Sequence, residues 1–175
     1  SNMFTNSSIS DTTETLDGIE IGSENELSNW NYTLDDNNTV TLNEFTNTTT
    51  NIDVIVYGAY KKGDKIYKSK LKPNTYNIFT EKTNIKTITF NPGVDSSECY
   101  YMPDMFRGCT ALTTINGLEN LNTSNVTRMS FMFANTSVLT TINGLENLDT
   151  SNVTDMHNMF SSSRSLTSLD LRSFD

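Results

Sequence analysis

Few residues in this chain are equipped for chemistry, and their spacing limits what they can do. The 175 residues include one histidine, His157, and two cysteines, Cys99 and Cys109. A zinc site needs about four Cys, His or carboxylate ligands at close spacing. Here His157 stands far along the chain from both cysteines. Ser/His/Asp or Cys/His catalysis would have to gather its partners around that single histidine, and no glycine-rich loop is present to cradle phosphate. The reading is non-enzymatic: no catalytic, cofactor-binding or metal-ligating residue is assigned and no cofactor is expected. The two cysteines are compatible with one disulfide, two free thiols or no role. A helix running between them would hold their Cα atoms beyond the roughly 7 Å limit for a bridge.

Charge offers a different kind of site. Six of the eight lysines, Lys61, Lys62, Lys65, Lys68, Lys70 and Lys72, fall within residues 61–72. Such a cluster suits acidic glycans, teichoic acid or another wall polymer. The plainer reading is a solvated hairpin whose lysines guard an edge strand, since steering by a local basic patch is unspecific. The whole chain carries a formal charge of −9, and residues 1–44 hold nine Asp or Glu and no Lys or Arg. An acidic chain argues against a nucleic-acid partner, because neutralising phosphates needs a basic face. No apolar run approaches the roughly 20 residues of a membrane-spanning helix. Ser1–Asn2 ahead of Met3 reads as an expression scar, which leaves room for a secretory signal upstream.

The elements that would position these residues follow from a repeat. "LTTINGLENLNTSNVTRM" at 112–129 returns as "LTTINGLENLDTSNVTDM" at 139–156, a spacing of 27. Residues 105–131 and 132–158 match at 18 of 27 positions, and a degenerate copy precedes them from about residue 78. In "NVTRMSFMF", Val126, Met129, Met132 and Phe133 make one stripe of a short helix, with Ser124 or Asn125 as cap. In the last unit Leu169 and Leu171, two apart, predict a strand. Asn116–Gly117 and Asn143–Gly144 predict a kink at the strand end.

The pattern L-x-x-L-x-L predicts an α/β repeat solenoid, a leucine-rich-repeat-like stack with one short strand and one short helix per unit of about 25–27 residues. Its units are 78–104, 105–131, 132–158 and a partial 159–175. An N-terminal β-hairpin unit at 27–77 caps it, and residues 1–26, polar and aperiodic, read as disordered or linker. The hairpin is read from Trp30, Tyr32 and Leu34, the turn Asp35–Asp36–Asn37–Asn38, then Val40 and Leu42. Further strands are predicted at 52–57 and near 65–71.

"TSNVTDMHNMFSSSRSLTSLDLRSFD", from Thr150 to Asp175, resembles the repeat of BspA-like leucine-rich-repeat surface proteins of bacteria. The resemblance implies a secreted or wall-anchored, non-catalytic bacterial protein used for adhesion or for host or matrix protein or surface glycan interaction. A spacer projecting another domain from the cell wall is the alternative. Cys109 sits at the family's frequent cysteine position, no functional residue carries over, and the repeat register implies further units beyond Asp175. The strand residues flanking the inward Leu or Ile would form the concave face: Thr87, Thr89, Thr114, Asn116, Thr141, Asn143, Ser168 and Asp170. This small polar face lacks the Trp, Tyr and Arg of binding hot spots. It suits weak carbohydrate contacts, or simply a soluble sheet surface. A monomer is expected.

Overall fold

The computed structural model describes residues 13–174. Two sheets organise them. The first has the order β1-β2-β6-β7-β4-β3, built from β1 (Thr15–Leu16), β2 (Ile19–Gly22), β3 (Trp30–Leu34), β4 (Thr39–Phe45), β6 (Ala59–Lys62) and β7 (Lys65–Leu71). β3 and β4 pair antiparallel. The turn between them closes on Asp35, whose Oδ1 accepts from the N–H groups of Asn37 and Thr39, both at 2.9 Å. Val40 and Leu42 alternate inward along β4, as a half-buried strand requires. A bulge in the pairing with β3, between the Tyr32–Leu42 and Asn31–Glu44 pairs, returns Phe45 to the buried side.

The linker expectation for residues 1–26 needs correction where it can be seen. Residues 1–12 lie outside the described residues, whereas residues 13–26 are folded. β2 pairs in parallel with β6, and Ser23 starts helix α1 (Glu24–Leu27) through a capping box with Glu26. Burial of Ile21 and Leu27 supplies the apolar contact that the polar composition hides.

The second sheet runs β10-β9-β8-β5, from β5 (Ile52–Val56), β8 (Ile85–Phe90), β9 (Thr114–Asn116) and β10 (Thr141–Ile142). All its pairs are parallel, with Val54 beside Ile88, Ile88 beside Ile115, and Ile115 beside Ile142. β5, expected inside the cap unit, is the first strand of this sheet. Each strand ends at a corner. Gly117 (φ 78°) and Gly144 (φ 87°) turn the Asn–Gly pairs into 3₁₀ turns over Leu118–Asn120 and Leu145–Asn147.

The predicted repeat helix is absent; α1 is the one α-helix among the described residues. The i, i+3 rhythm of "NVTRMSFMF" belongs instead to consecutive turns, Met132 N–H to Met129 O and Ala134 N–H to Phe131 O. Left-handed residues interrupt any helix at two columns spaced by 27: Asn77, Asp104, Phe131 and Asn158, then Glu81, Gly108, Asn135 and Ser162. The backbone turned outward this way bonds to the next layer. Met102, Asp104, Phe106 and Gly108 donate to the carbonyls of Arg128, Ser130, Met132 and Ala134 at 2.9–3.1 Å. The following layer repeats this bonding from Met129, Phe131, Phe133 and Asn135.

Between the sheet and these turns lies the core. Phe79, Phe106, Phe133 and Phe160 stack ring on ring, with centroids 5.8, 5.4 and 5.3 Å apart and planes within 10°, inside the range favoured by offset stacking. The strand predicted at Leu169–Leu171 is also absent: the two residues are 38% and 42% exposed, because among the described residues this segment has a neighbouring layer on one side only.

Candidate functional site

Strand alternation sends Ile88, Ile115 and Ile142 inward and their neighbours outward, so the outer face of the parallel sheet carries two rows. Thr87, Thr114 and Thr141 are register partners in the first. Thr89 and Asn116 pair in the second, and side chains extend it: the Asn116 amide donates to Thr89 Oγ1 at 3.3 Å, and the Asn143 amide to Asn116 Oδ1 at 2.7 Å. The rows also continue onto β5, where Asp53 accepts from the Thr87 hydroxyl at 2.7 Å and Ile55 stands beside Thr89. Asp53 and Ile55 escaped the repeat alignment because β5 lies 34 residues before β8 at this register, not 27; the alternation in "IDVIVY" was the available signal.

Ser168 and Asp170 do not join a strand. Asp170 instead holds the Arg172 guanidinium through bonds of 2.6–2.9 Å, and that hydrogen bonding keeps its carboxyl below the usual carboxylate range. Thr140–Asn143 and Thr167–Asp170 line a shallow hollow of about 250 Å³ at this end.

The lysines lie on β6, β7 and just beyond, and three of the six meet a carboxylate. Lys61 pairs with Glu14 at 3.1 Å, Lys62 with Glu24 at 3.1 Å, and Lys70 with Glu98 at 2.5 Å. Lys72 is half-buried, and desolvation lowers its pKa despite the nearby Glu44. Lys65 and Lys68 are exposed. On β7, Lys68 and Lys70 point to one face and Lys65 to the other, so the six do not form one surface.

Both cysteines are free and buried. The Cys109 thiol donates to Phe79 O at 2.9 Å and the Cys99 thiol to Lys72 O at 3.4 Å. Burial pushes both thiols up to about 12, which suppresses the thiolate that nucleophilic chemistry needs. His157 is exposed; its Nδ1 lies 2.5 Å from Asp155 and its ring meets Phe131 edge-on at 4.7 Å. Arg107 covers the same Phe131 ring at 5.3 Å. Among the described residues no group of three His, Cys, Asp or Glu could hold a metal ion, and no helix is long and apolar enough to cross a membrane.

The family described as "Mycoplasma protein of unknown function, DUF285" matches residues 74–175, the span of the layered repeats. The chain belongs to this family. The matched span contains the repeats whose sequence resembles that of BspA-like leucine-rich-repeat proteins. Among solved structures, a leucine-rich-repeat protein of T. pallidum is 13% identical, with 79% of this chain and 78% of that one covered at a TM-score of 0.43. A leucine-rich cell surface protein from Faecalibacterium prausnitzii is 15% identical, with 80% of this chain covered at a TM-score of 0.33. The chain covers 52% of that second protein. No curated protein matches. In this DUF285 chain the matched repeats carry the Thr and Asn rows, and the lysines precede them.

Proposed function

We infer that this protein is a non-catalytic, extracellular interaction module, a leucine-rich-repeat solenoid whose parallel-sheet face meets a host or matrix protein or a surface glycan in adhesion. The observation that carries the reading is the paired Thr87–Thr114–Thr141 and Thr89–Asn116–Asn143 rows. Hydroxyls and amides both donate and accept, and adjacent strands set them about 4.8 Å apart. That surface matches neutral hydroxylated ligands better than it matches a partner seeking aromatic or arginine anchors. The lysine cluster is the weaker candidate, since ion pairs already occupy Lys61, Lys62 and Lys70. The unit before the repeats serves as an N-terminal cap on the stack.

The test is direct binding of the purified chain to a panel of matrix proteins and of neutral and acidic glycans at physiological salt. Thr114→Lys and a Lys61→Ser/Lys62→Ser double variant are run beside it. Binding lost in Thr114→Lys and kept in the lysine variant is the expected result. Loss in the lysine variant alone transfers function to the β6–β7 hairpin. Absence of binding to every member of the panel favours a spacer that projects another domain.

A further inference from the structure

The chain contains a built-in comparison, because residues 112–121 and 139–148 are both "LTTINGLENL". Each copy contains an Asn–Gly pair, the dipeptide in which a backbone nitrogen unhindered by a side chain can attack the preceding amide. Identical local sequence means that any difference in their reactivity comes from the fold.

The fold treats the two differently. Asn116 is half-buried, and its amide is held at both ends: the NH₂ group donates to Thr89 Oγ1, and Oδ1 accepts from the Asn143 amide. Asn143 is exposed and held only through its NH₂ group, at the open end of that row. The surroundings of the glycines differ as well. A Cβ on Gly144 would lie 2.1 Å from Glu119 Oε2, so a carboxylate rests against this glycine. Against Gly117 lie the Phe90 carbonyl and the Asn120 amide, because the residue 27 before Glu119 is Pro92. Glu119, Asn143 and Gly144 also line an open hollow of about 370 Å³ with room for water.

We propose that Asn143 is a site of spontaneous deamidation in the folded protein and that Asn116 is protected. The Gly144 nitrogen loses its proton to the adjacent Glu119 carboxylate and attacks Asn143 Cγ. A C–N bond forms, the Cγ–Nδ2 bond breaks, and the departing amide nitrogen takes a proton and leaves as ammonia. Water then opens the five-membered imide at either carbonyl to give aspartate or isoaspartate. Either product places a negative charge at one end of the Thr and Asn rows. The isoaspartate also adds a methylene to the backbone beside the bond from Asn143 N–H to Ile115 O.

Incubation of the intact chain at mildly alkaline pH, followed by trypsin and mass spectrometry, tests this. Cleavage at Arg107, Arg128 and Arg164 puts Asn116 and Asn143 on separate peptides, and fragmentation locates the modified residue. Asn143 is expected to convert at least about fivefold faster than Asn116, the factor that corresponds to one hydrogen bond of about 1 kcal/mol. Glu119→Gln should slow Asn143 alone, and Thr89→Ala should accelerate Asn116. In concentrated urea the two rates should converge. Equal rates in the folded chain, conversion at neither site, an Asn143 rate indifferent to Glu119→Gln, or a difference that persists in urea overturns the proposal.

Discussion

Gly117 and Cys109 show how much a single position in a layer is asked to do. A Cβ on Gly117 would fall 2.1 Å from the Phe90 carbonyl oxygen, in a backbone with φ of 78°. Gly117→Ala therefore combines strain with a clash, and chemical denaturation should show a loss of about 2 kcal/mol or more. The same change at exposed Gly63, where nothing lies within 4 Å, incurs only the backbone strain. Cys109 occupies a column continued by Thr136 and Ser163, and Ser163, like Cys109, donates to a carbonyl of the layer before, at Phe133. Serine should replace Cys109 with little loss, whereas valine removes one of the two bonds to the Phe79 carbonyl, which keeps the Lys82 N–H at 3.1 Å, at a cost of about 1 kcal/mol. The raised thiol pKa adds a pH dependence. The unfolded thiol ionises near 8.5, while the buried one holds its proton to about 12. The unfolded state thus binds fewer protons in that window, and stability falls as pH rises through it. Thermal unfolding between pH 8 and pH 12 should decline less steeply for Cys109→Ser than for the parent chain.

At the scale of the element, the inward Ile and Leu positions and the Asn–Gly corners could be read from the letters, because strand alternation and turn chemistry leave local marks. The row of Thr and Asn on the sheet face was legible for the same reason. The turn ladder was not. Its Val126, Met129, Met132 and Phe133 spacing satisfies a helix, and the residues that forbid one, Phe131 and Asn135, carry no glycine signal at their left-handed positions. What holds them there is the layer beyond, through Phe131 N–H to His157 O and Asn135 N–H to Ser161 O at 3.0 and 2.8 Å. Ser168 and Asp170 failed as ladder members because their pattern is that of a strand but their neighbours are not. The phenylalanine stack gives this element its own test. Phe106, fully buried between Phe79 and Phe133, should lose about 3–5 kcal/mol on truncation to alanine. Half-buried Phe160, with one stacking partner among the described residues, should lose clearly less in the same denaturation assay.

Across the whole molecule these local differences become a gradient. Each layer of the repeat contacts chiefly its neighbours, so stability is close to a sum of layer and interface terms, and opening can begin at an end. The first layers are backed by the six-stranded sheet and by Trp30, which meets Phe45 and Phe79 edge-on at 5.3 and 5.5 Å. Among the described residues, the last layer has exposed Leu169 and Leu171 and no strand bonds to β10. Local opening free energies should therefore fall along the stack, and hydrogen exchange can read them amide by amide. The amides of Met102, Phe106 and Gly108, which donate to the layer at Arg128–Ala134, should exchange more slowly than those of Met129, Phe133 and Asn135, which donate to the layer at Asp155–Ser161. Equal protection of the two sets would mean that the stack opens as one cooperative unit, and the N-terminal sheet would then stabilise every layer alike. A graded result would instead leave the Asn143 end of the Thr and Asn rows more often open than the Thr89 end. Ligand contact there would be expected to slow exchange at Asn143 before it did so at Thr89.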